Sequence, residues 1–522
     1  MCGSRKTKPV KRTGKAAGIL VLFALMLCLM TGCAGKGQIT VTSLDQLSEP
    51  GIRIGVAGNV IEFDMLKRDY PGAKVIPYAD NPLGYQDVAS GRLDVYIHDR
   101  LEMSLAIEHG TEGVRLLEGA YHVNNIAIGV SPLTDIPNLR EKLNAFIGEL
   151  RADGTLDDMY SRWIVRGEYE MPEIPRAEKP EHHLRVATAG TAMPYTFFKG
   201  TQLSGYDIEM AYRFAYWLGA DVEFKVIDFG GIITAAATGD VDCIMSGLYR
   251  TEENSKTIPF TDTLFTMEMT GMVRDGSGTA DGKSFWDSIA DSFYKTFIKE
   301  GRWRLFLAGI GTTLLITALS ILLGTALGFG VFLLCRKGNA VVNGLTHILI
   351  RFVTGLPTVV LLMVLYYIIF GGISISSTIV SVICFTLVFG AAVYAMVNNG
   401  VSTVDKGQME AASSLGFTDR KAFFDVVLPQ ALPYIMPIYR EQIAALVKAT
   451  SVVGYVAVQD LTKMGDIIRS RTFEAFFPLL AVAAVYFILA DILTHLAHRI
   501  EIHVDPKRRT KEKILKGVKT GD

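Results

Sequence analysis

Acidic residues are missing from the first 44 positions of this 522-residue chain, where none precedes Asp45. Charge of either sign is missing from two later stretches, one between Arg304 and Arg336 and one between Arg351 and Asp405. A bilayer core of roughly 30 Å takes about 20 apolar residues as helix, so the first stretch fits one span and the second fits two. Cysteine is scarce and scattered: the six are Cys2, Cys28, Cys33, Cys243, Cys335 and Cys384. That spacing excludes a disulfide framework and shows no metal-ligand pattern, so neither metal nor cofactor is expected. The 52 basic and 53 acidic residues cancel, which excludes the basic footprint of a nucleic-acid partner. A phosphate-binding loop is also missing. Residues 278–284 end in Gly282-Lys283-Ser284, but Ser277 stands where such a loop needs its first glycine. No nucleophile, base and acid stand together, so no catalytic residue is expected and the chain is not read as an enzyme.

What is present starts with a basic segment, Arg5, Lys6, Lys8, Lys11, Arg12 and Lys15, followed by apolar residues 16–30 and Thr31-Gly32-Cys33-Ala34. Residues 1–33 therefore read as a secretory signal, with Cys33 where a lipoprotein signal places its lipid-modified cysteine. An uncleaved anchor is the alternative reading, and either one exports the domain C-terminal to it. From 52 to 130, β-type runs such as IRIGVA, LDVYIHD and IAIGV alternate with helical stretches. The alternation resumes after a proline-rich linker at 171–183, with LRVATAG, DVEFKVI and VDCIMSG. Strands alternating with helices predict an α/β fold on a largely parallel sheet.

A glycine-rich linker, 277–302, then leads to a membrane part with five expected spans, at 305–334, 352–371, 375–398, 440–458 and 475–496. Basic residues follow the first span (Arg336, Lys337), the third (Lys406, Arg420, Lys421) and the fifth, in a tail over 502–522. All three clusters fall on the cytoplasmic side if the soluble part is outside. The chain is thus expected in the cell membrane, multi-pass, with its soluble domain extracytoplasmic.

Between the third and fourth spans runs Glu410-Ala411-Ala412-Ser413-Ser414-Leu415-Gly416, continuing to Leu428-Pro429-Gln430-Ala431. The pattern predicts a short helix ended by Gly416, then a second from Thr418 ended by Pro429. This stretch resembles the cytoplasmic coupling loop of ATP-binding-cassette importer permeases of the polar amino-acid type, and the likeness covers roughly 303–501. Lys406-Gly407-Gln408, Thr354-Gly355-Leu356-Pro357 and Val447-Lys448-Ala449-Thr450-Ser451 belong to the same likeness. Ala395 and Asn398 depart from it, where that branch often carries an acid and an arginine. The resemblance implies that Glu410, Ala411, Ala412, Gly416, Leu428 and Pro429 dock on a separate cytoplasmic ATP-binding subunit, and that the permease is a homodimer. Lys448 lies formally inside the fourth span, either at a helix end or on the solute path.

The soluble region resembles the family of solute-binding proteins that feed such permeases, in rearranged order. Residues 184–276, with Gly205-Tyr206-Asp207 and Gly239-Asp240-Val241-Asp242, look like the beginning of such a protein; residues 43–170, with Gly91-Arg92-Leu93-Asp94, look like its remainder. The reading is one circularly permuted two-lobed domain over 37–276, its lobe-2-like half first. Two half-domains completed by other chains are the alternative. The resemblance implies that Asp99 faces a ligand ammonium, that Tyr195 and Phe229 line the cleft, and that Gly247 offers a backbone group. It also puts Thr251 and Asn254 in the site, with Asn254 where the family has a carboxylate-binding arginine. Arg250 could replace that arginine if it turned inward. The expected solute is a polar amino acid or related small amine. Rival readings are a ligand-gated channel or sensor, and an extracytoplasmic enzyme on the same fold.

Overall fold

A computed structural model of the protein describes residues 40–57, 62–78, 80–275, 285–338, 340–371 and 375–504. The expected signal segment, Cys33, the sequence resembling a phosphate loop and the tail from 505 lie outside them.

Two parallel-based sheets make two lobes. In the first, Lys74–Tyr78, Arg53–Ala57 and Val95–Asp99 run parallel, Phe265–Arg274 pairs antiparallel with Val95–Asp99, and Val114–Leu116 and His122–Ile126 pair with Phe265–Arg274. In the second, Ala220–Val226, His182–Thr188 and Cys243–Ile244 run parallel and Gly129–Val130 closes antiparallel. The order is the same in both lobes, and the antiparallel strand is in each case lent by the other half of the sequence. The soluble part is therefore an α/β two-lobed, binding-protein-like domain of type II.

That exchange moves the lobe boundaries. The split expected at 170/184 does not separate the lobes, because residues 129–165 pack on the second one. Phe146 of helix Leu139–Ala152 meets Phe214 at 5.4 Å, and the buried Trp163 donates its indole N–H to Glu209 at 2.6 Å. The chain crosses between lobes twice, near 127 and near 263. Bridges Ile126↔Tyr249 and Gly129↔Phe260 tie the two crossings together.

The membrane part is helical. Among the described residues, four helices are long and apolar enough to cross a bilayer, Trp303–Lys337, Ser377–Ser402, Asp419–Val456 and Phe476–His503, and a bent pair makes up to five. The pair, Ala340–Gly355 and Thr358–Ile369, turns by 109°. The expected single helix at 352–371 is thus broken inside the Gly355-Leu356-Pro357 segment. The proline lacks an N–H and pushes the residue before it out of helical geometry. The expected linker is partly helical too, with Phe285–Phe293 wound before the first span.

Candidate functional site

A cavity of about 370 Å³ lies between the lobes, and its third wall is the membrane part itself. Asp80, His98, Asp99 and Glu102 line it from the first lobe, and Tyr195, Asp228, Phe229 and Gly247 from the second. Tyr455, Lys463, Asp466, Arg469 and Phe473 close it from the membrane part.

Asp99 ends the strand Val95–Asp99 and begins the helix Arg100–Glu108. Its Oδ1 caps that helix, accepting from the N–H of Leu101 at 2.5 Å and of Glu102 at 3.1 Å. Its Oδ2 accepts from the Tyr195 hydroxyl at 2.9 Å, a bond that joins the lobes across the cleft. Burial pushes the Asp99 carboxyl up to about 6, against the pull of His98. Burial alone would lower His98, but Glu102 at 3.1 Å outweighs it and raises the imidazole above its ordinary value.

The Gly205-Tyr206-Asp207 motif positions the opposite wall. A Cβ on Gly205 would lie 2.2 Å from the Tyr195 carbonyl oxygen, so only glycine lets the following helix press against that loop. The N–H groups of Tyr206 and Asp207 hold the Pro194 and Tyr195 carbonyls at 3.1 and 3.0 Å. The buried Asp207 accepts from the Gly247 N–H at 2.5 Å, and desolvation raises its carboxyl to about 7.

Of the six expected ligand residues, Asp99, Tyr195, Phe229 and Gly247 are brought together around this cavity; Thr251 and Asn254 are not. The Thr251 hydroxyl instead accepts from the Asn254 N–H at 3.1 Å at the start of the short helix Asn254–Thr257. The Asn254 amide turns back to the Tyr249 carbonyl at 3.4 Å. Arg250 faces a different, more open depression with Thr251, Glu62 and His122, so it supplies no charge to the cleft.

The sequence reading missed the helix Leu461–Thr472, which lies between the expected fourth and fifth spans. Asp460 caps it, accepting from the Lys463 N–H at 3.0 Å. Lys463, with only 3% of its side chain exposed, pairs with Asp228 of the second lobe at 2.6 Å. Arg469 pairs with Asp80 of the first lobe at 2.6 Å and with Asp466 at 2.8 Å. Tyr366 of the bent pair adds a bond to Asp240 at 3.0 Å. Asp460 and Lys463, three apart, hinted at a capped helix, but nothing in the sequence announced what it touches.

On the opposite face of the membrane part, Asp405 caps the helix Lys406–Ser414 through the Gly407 N–H at 2.7 Å. Gly416 follows at φ +86°, its N–H on the Ser413 carbonyl and the Phe417 N–H on that of Ala412, which closes a Schellman turn. Thr418 caps the next helix, Asp419–Ala422. Pro429 does not end it: the chain stays helical from Asp419 to Val456. Pro429 sits within the first two residues of Leu428–Ala449, where an N–H is not needed, just after the wide turn Phe423–Val427. Glu410, Ala411 and Gly416 are exposed and Ala412 is buried. Lys448 is exposed in the last turn of its helix. Arg336, at the end of the first span, pairs with Asp419 at 3.0 Å, which fixes both on one face.

The match to known proteins follows this division. The family of binding-protein-dependent transport system inner membrane components matches residues 320–509. A Rickettsia typhi protein named as a glutamine transport system permease, GlnP, is 30% identical over 37% of this chain and 89% of its own length. The chain belongs to this permease family. A Bacillus subtilis protein named as an amino-acid ABC transporter permease, YckA, is 31% identical over 35% of this chain and 82% of its own. The crystal structure of an amino acid ABC transporter with histidines shares 26% identity, covering 43% of this permease and all of that chain, at a TM-score of 0.37. These relatives cover 35–43% of the chain, and the family match falls in the membrane part. This ABC permease carries its two-lobed binding domain on the same polypeptide, and it is a multi-pass membrane protein.

Proposed function

We propose that this chain captures a small polar amine-bearing solute between its own lobes and releases it into its own pore. A polar amino acid leads the field, as the names of the glutamine and amino-acid permease relatives suggest. The observation that carries the reading is the cavity whose third wall is the permease. The acid Asp99 suits an ammonium group, and Tyr195 and Phe229 suit the apolar part of such a solute.

ATP is hydrolysed by a separate cytoplasmic subunit that grips the exposed loop around Gly416, and two copies of the chain complete the pore. The binding domain lies outside, opposite that loop. The division of residues 37–276, 303–501 and the basic tail into capture, transport and cytoplasmic parts belongs to the same proposal.

The test is Gly416→Val in the full chain, reconstituted with its ATP-binding subunit. A β-branched residue at a left-handed position costs about 1–2 kcal/mol, so the turn deforms and uptake falls about tenfold or more. Solute binding on the outer side stays unchanged. Uptake equal to that of the parent would show that this loop does not couple.

A further inference from the structure

The walls of the cavity carry different charges. The lobes contribute four acids, Asp80, Asp99, Glu102 and Asp228, and one imidazole, His98. Every lysine and arginine that lines the cavity comes from the permease helix Leu461–Thr472: Lys463 and Arg469. These two are not spent on their ion pairs. Among the described residues Lys463 has one hydrogen-bond partner, Asp228, for three ammonium protons. Arg469 engages Asp80 and Asp466 through Nη2 alone, leaving Nε and Nη1 without a partner among the described residues. Arg469 has 12% of its side chain exposed and Lys463 3%, so these N–H groups have little access to bulk water. A buried cation with unused donors is an anion site in waiting, and guanidinium geometry suits a planar carboxylate.

We propose that Arg469, assisted by Lys463, is the carboxylate-recognising part of the solute site, so that an amino acid is bound jointly by the lobes and the permease. This rests on the functional reading above and deepens it. The ammonium end faces Asp99 and the carboxylate end faces the helix Leu461–Thr472, since both line the one cavity. The lobes alone form a net acidic cleft that takes an amine with or without a carboxylate. The permease wall adds the preference for the acid. Selection for a zwitterion therefore happens at the entrance to the pore.

The experiment uses the full chain in nanodiscs and two probe sets: the twenty proteinogenic L-amino acids, and the amine that each gives on decarboxylation. The tightest-binding amino acid is compared with its own amine in the parent, in Arg469→Gln and in Arg469→Lys. A charge-assisted bond to a carboxylate is worth about 1.5–3 kcal/mol, so the parent prefers the acid by about tenfold or more. Arg469→Gln abolishes that preference because the acid weakens about tenfold or more while the amine, which loses no partner, does not weaken, and Arg469→Lys recovers part of it. Amine affinity that does not fall shows that the cavity and the docking survive the substitution. A preference that persists in Arg469→Gln, or equal losses for acid and amine, overturns this inference and leaves the wider reading standing. A parent that binds neither probe set overturns the wider reading itself.

Discussion

The two lobes share one scaffold and differ in what they bring to the cleft. In the first, Asp94 accepts the Arg53 N–H at 2.8 Å and takes its guanidinium through both oxygens, at 2.9 and 2.6 Å. In the second, Asp242 does the same for Arg185, at 2.8, 3.1 and 2.8 Å. Each arginine is on the middle one of its lobe's three parallel strands, and each aspartate ends a Gly-x-x-Asp turn, at 91–94 and 239–242. Both carboxylates are buried. The strands after these turns then diverge. The first ends on His98-Asp99, a titratable pair; the second, Cys243–Ile244, leads into Ser246-Gly247, held by a buried Asp207. The repeated parts set the frame and the unlike strand ends set the chemistry.

Breaking the shared frame has the largest expected effect. Removing one partner of a buried ion pair costs about 3–5 kcal/mol. Asp94→Ala and Asp242→Ala are each expected near the low end, since both arginines keep about a quarter of their surface in water. Thermal unfolding of the full chain measures both, and the two losses are expected to agree within about 1 kcal/mol. A loss confined to one lobe would break the equivalence.

The asymmetry gives the next effect. Asp99→Ala is expected to weaken amine binding by about tenfold or more, the worth of one charge-assisted bond. Asn254→Ala is expected to leave affinity unchanged, because that side chain is turned to the Tyr249 carbonyl and away from the cleft. Calorimetry on the full chain distinguishes them. Equal losses would return Asn254 to the site.

A smaller effect comes from pH. Asp99 is raised to about 6 by burial, so its carboxylate is charged above that value and neutral below it. Amine affinity is therefore expected to be flat near pH 7.5 and to fall below pH 6, by up to about tenfold per unit. In Asp99→Asn that part of the profile flattens. The same raised value means that an ionised Asp99 is a burden to the empty fold, so stability rises slightly as pH falls through 6.

Much of the fold was legible because it rests on local pattern. The apolar runs IRIGVA, LDVYIHD and LRVATAG became strands, and residues without charge became membrane helices. Gly416 became the turn that its neighbours implied, because a Schellman closure depends on a few adjacent residues. What was illegible depended on contacts distant in sequence. Phe265–Arg274 joins the first lobe only through pairing with strands more than a hundred residues away. Pro429 looked like a helix end because its tolerance depends on the wide turn before it. Asp99, Tyr195, Phe229 and Gly247 could be placed by likeness to the family. Lys463 and Arg469 could not, since their meaning lies in Asp228 and Asp80, supplied by different lobes.

The most direct measurement is ATP-driven uptake into proteoliposomes that contain the full chain and its ATP-binding subunit, with no separate binding protein added. Uptake of the best-binding amino acid is expected under these conditions, and Asp99→Ala is expected to reduce it at limiting solute. Uptake that appears only when a separate binding protein is supplied, or that ignores Asp99→Ala, would contradict the claim that this chain feeds its own pore.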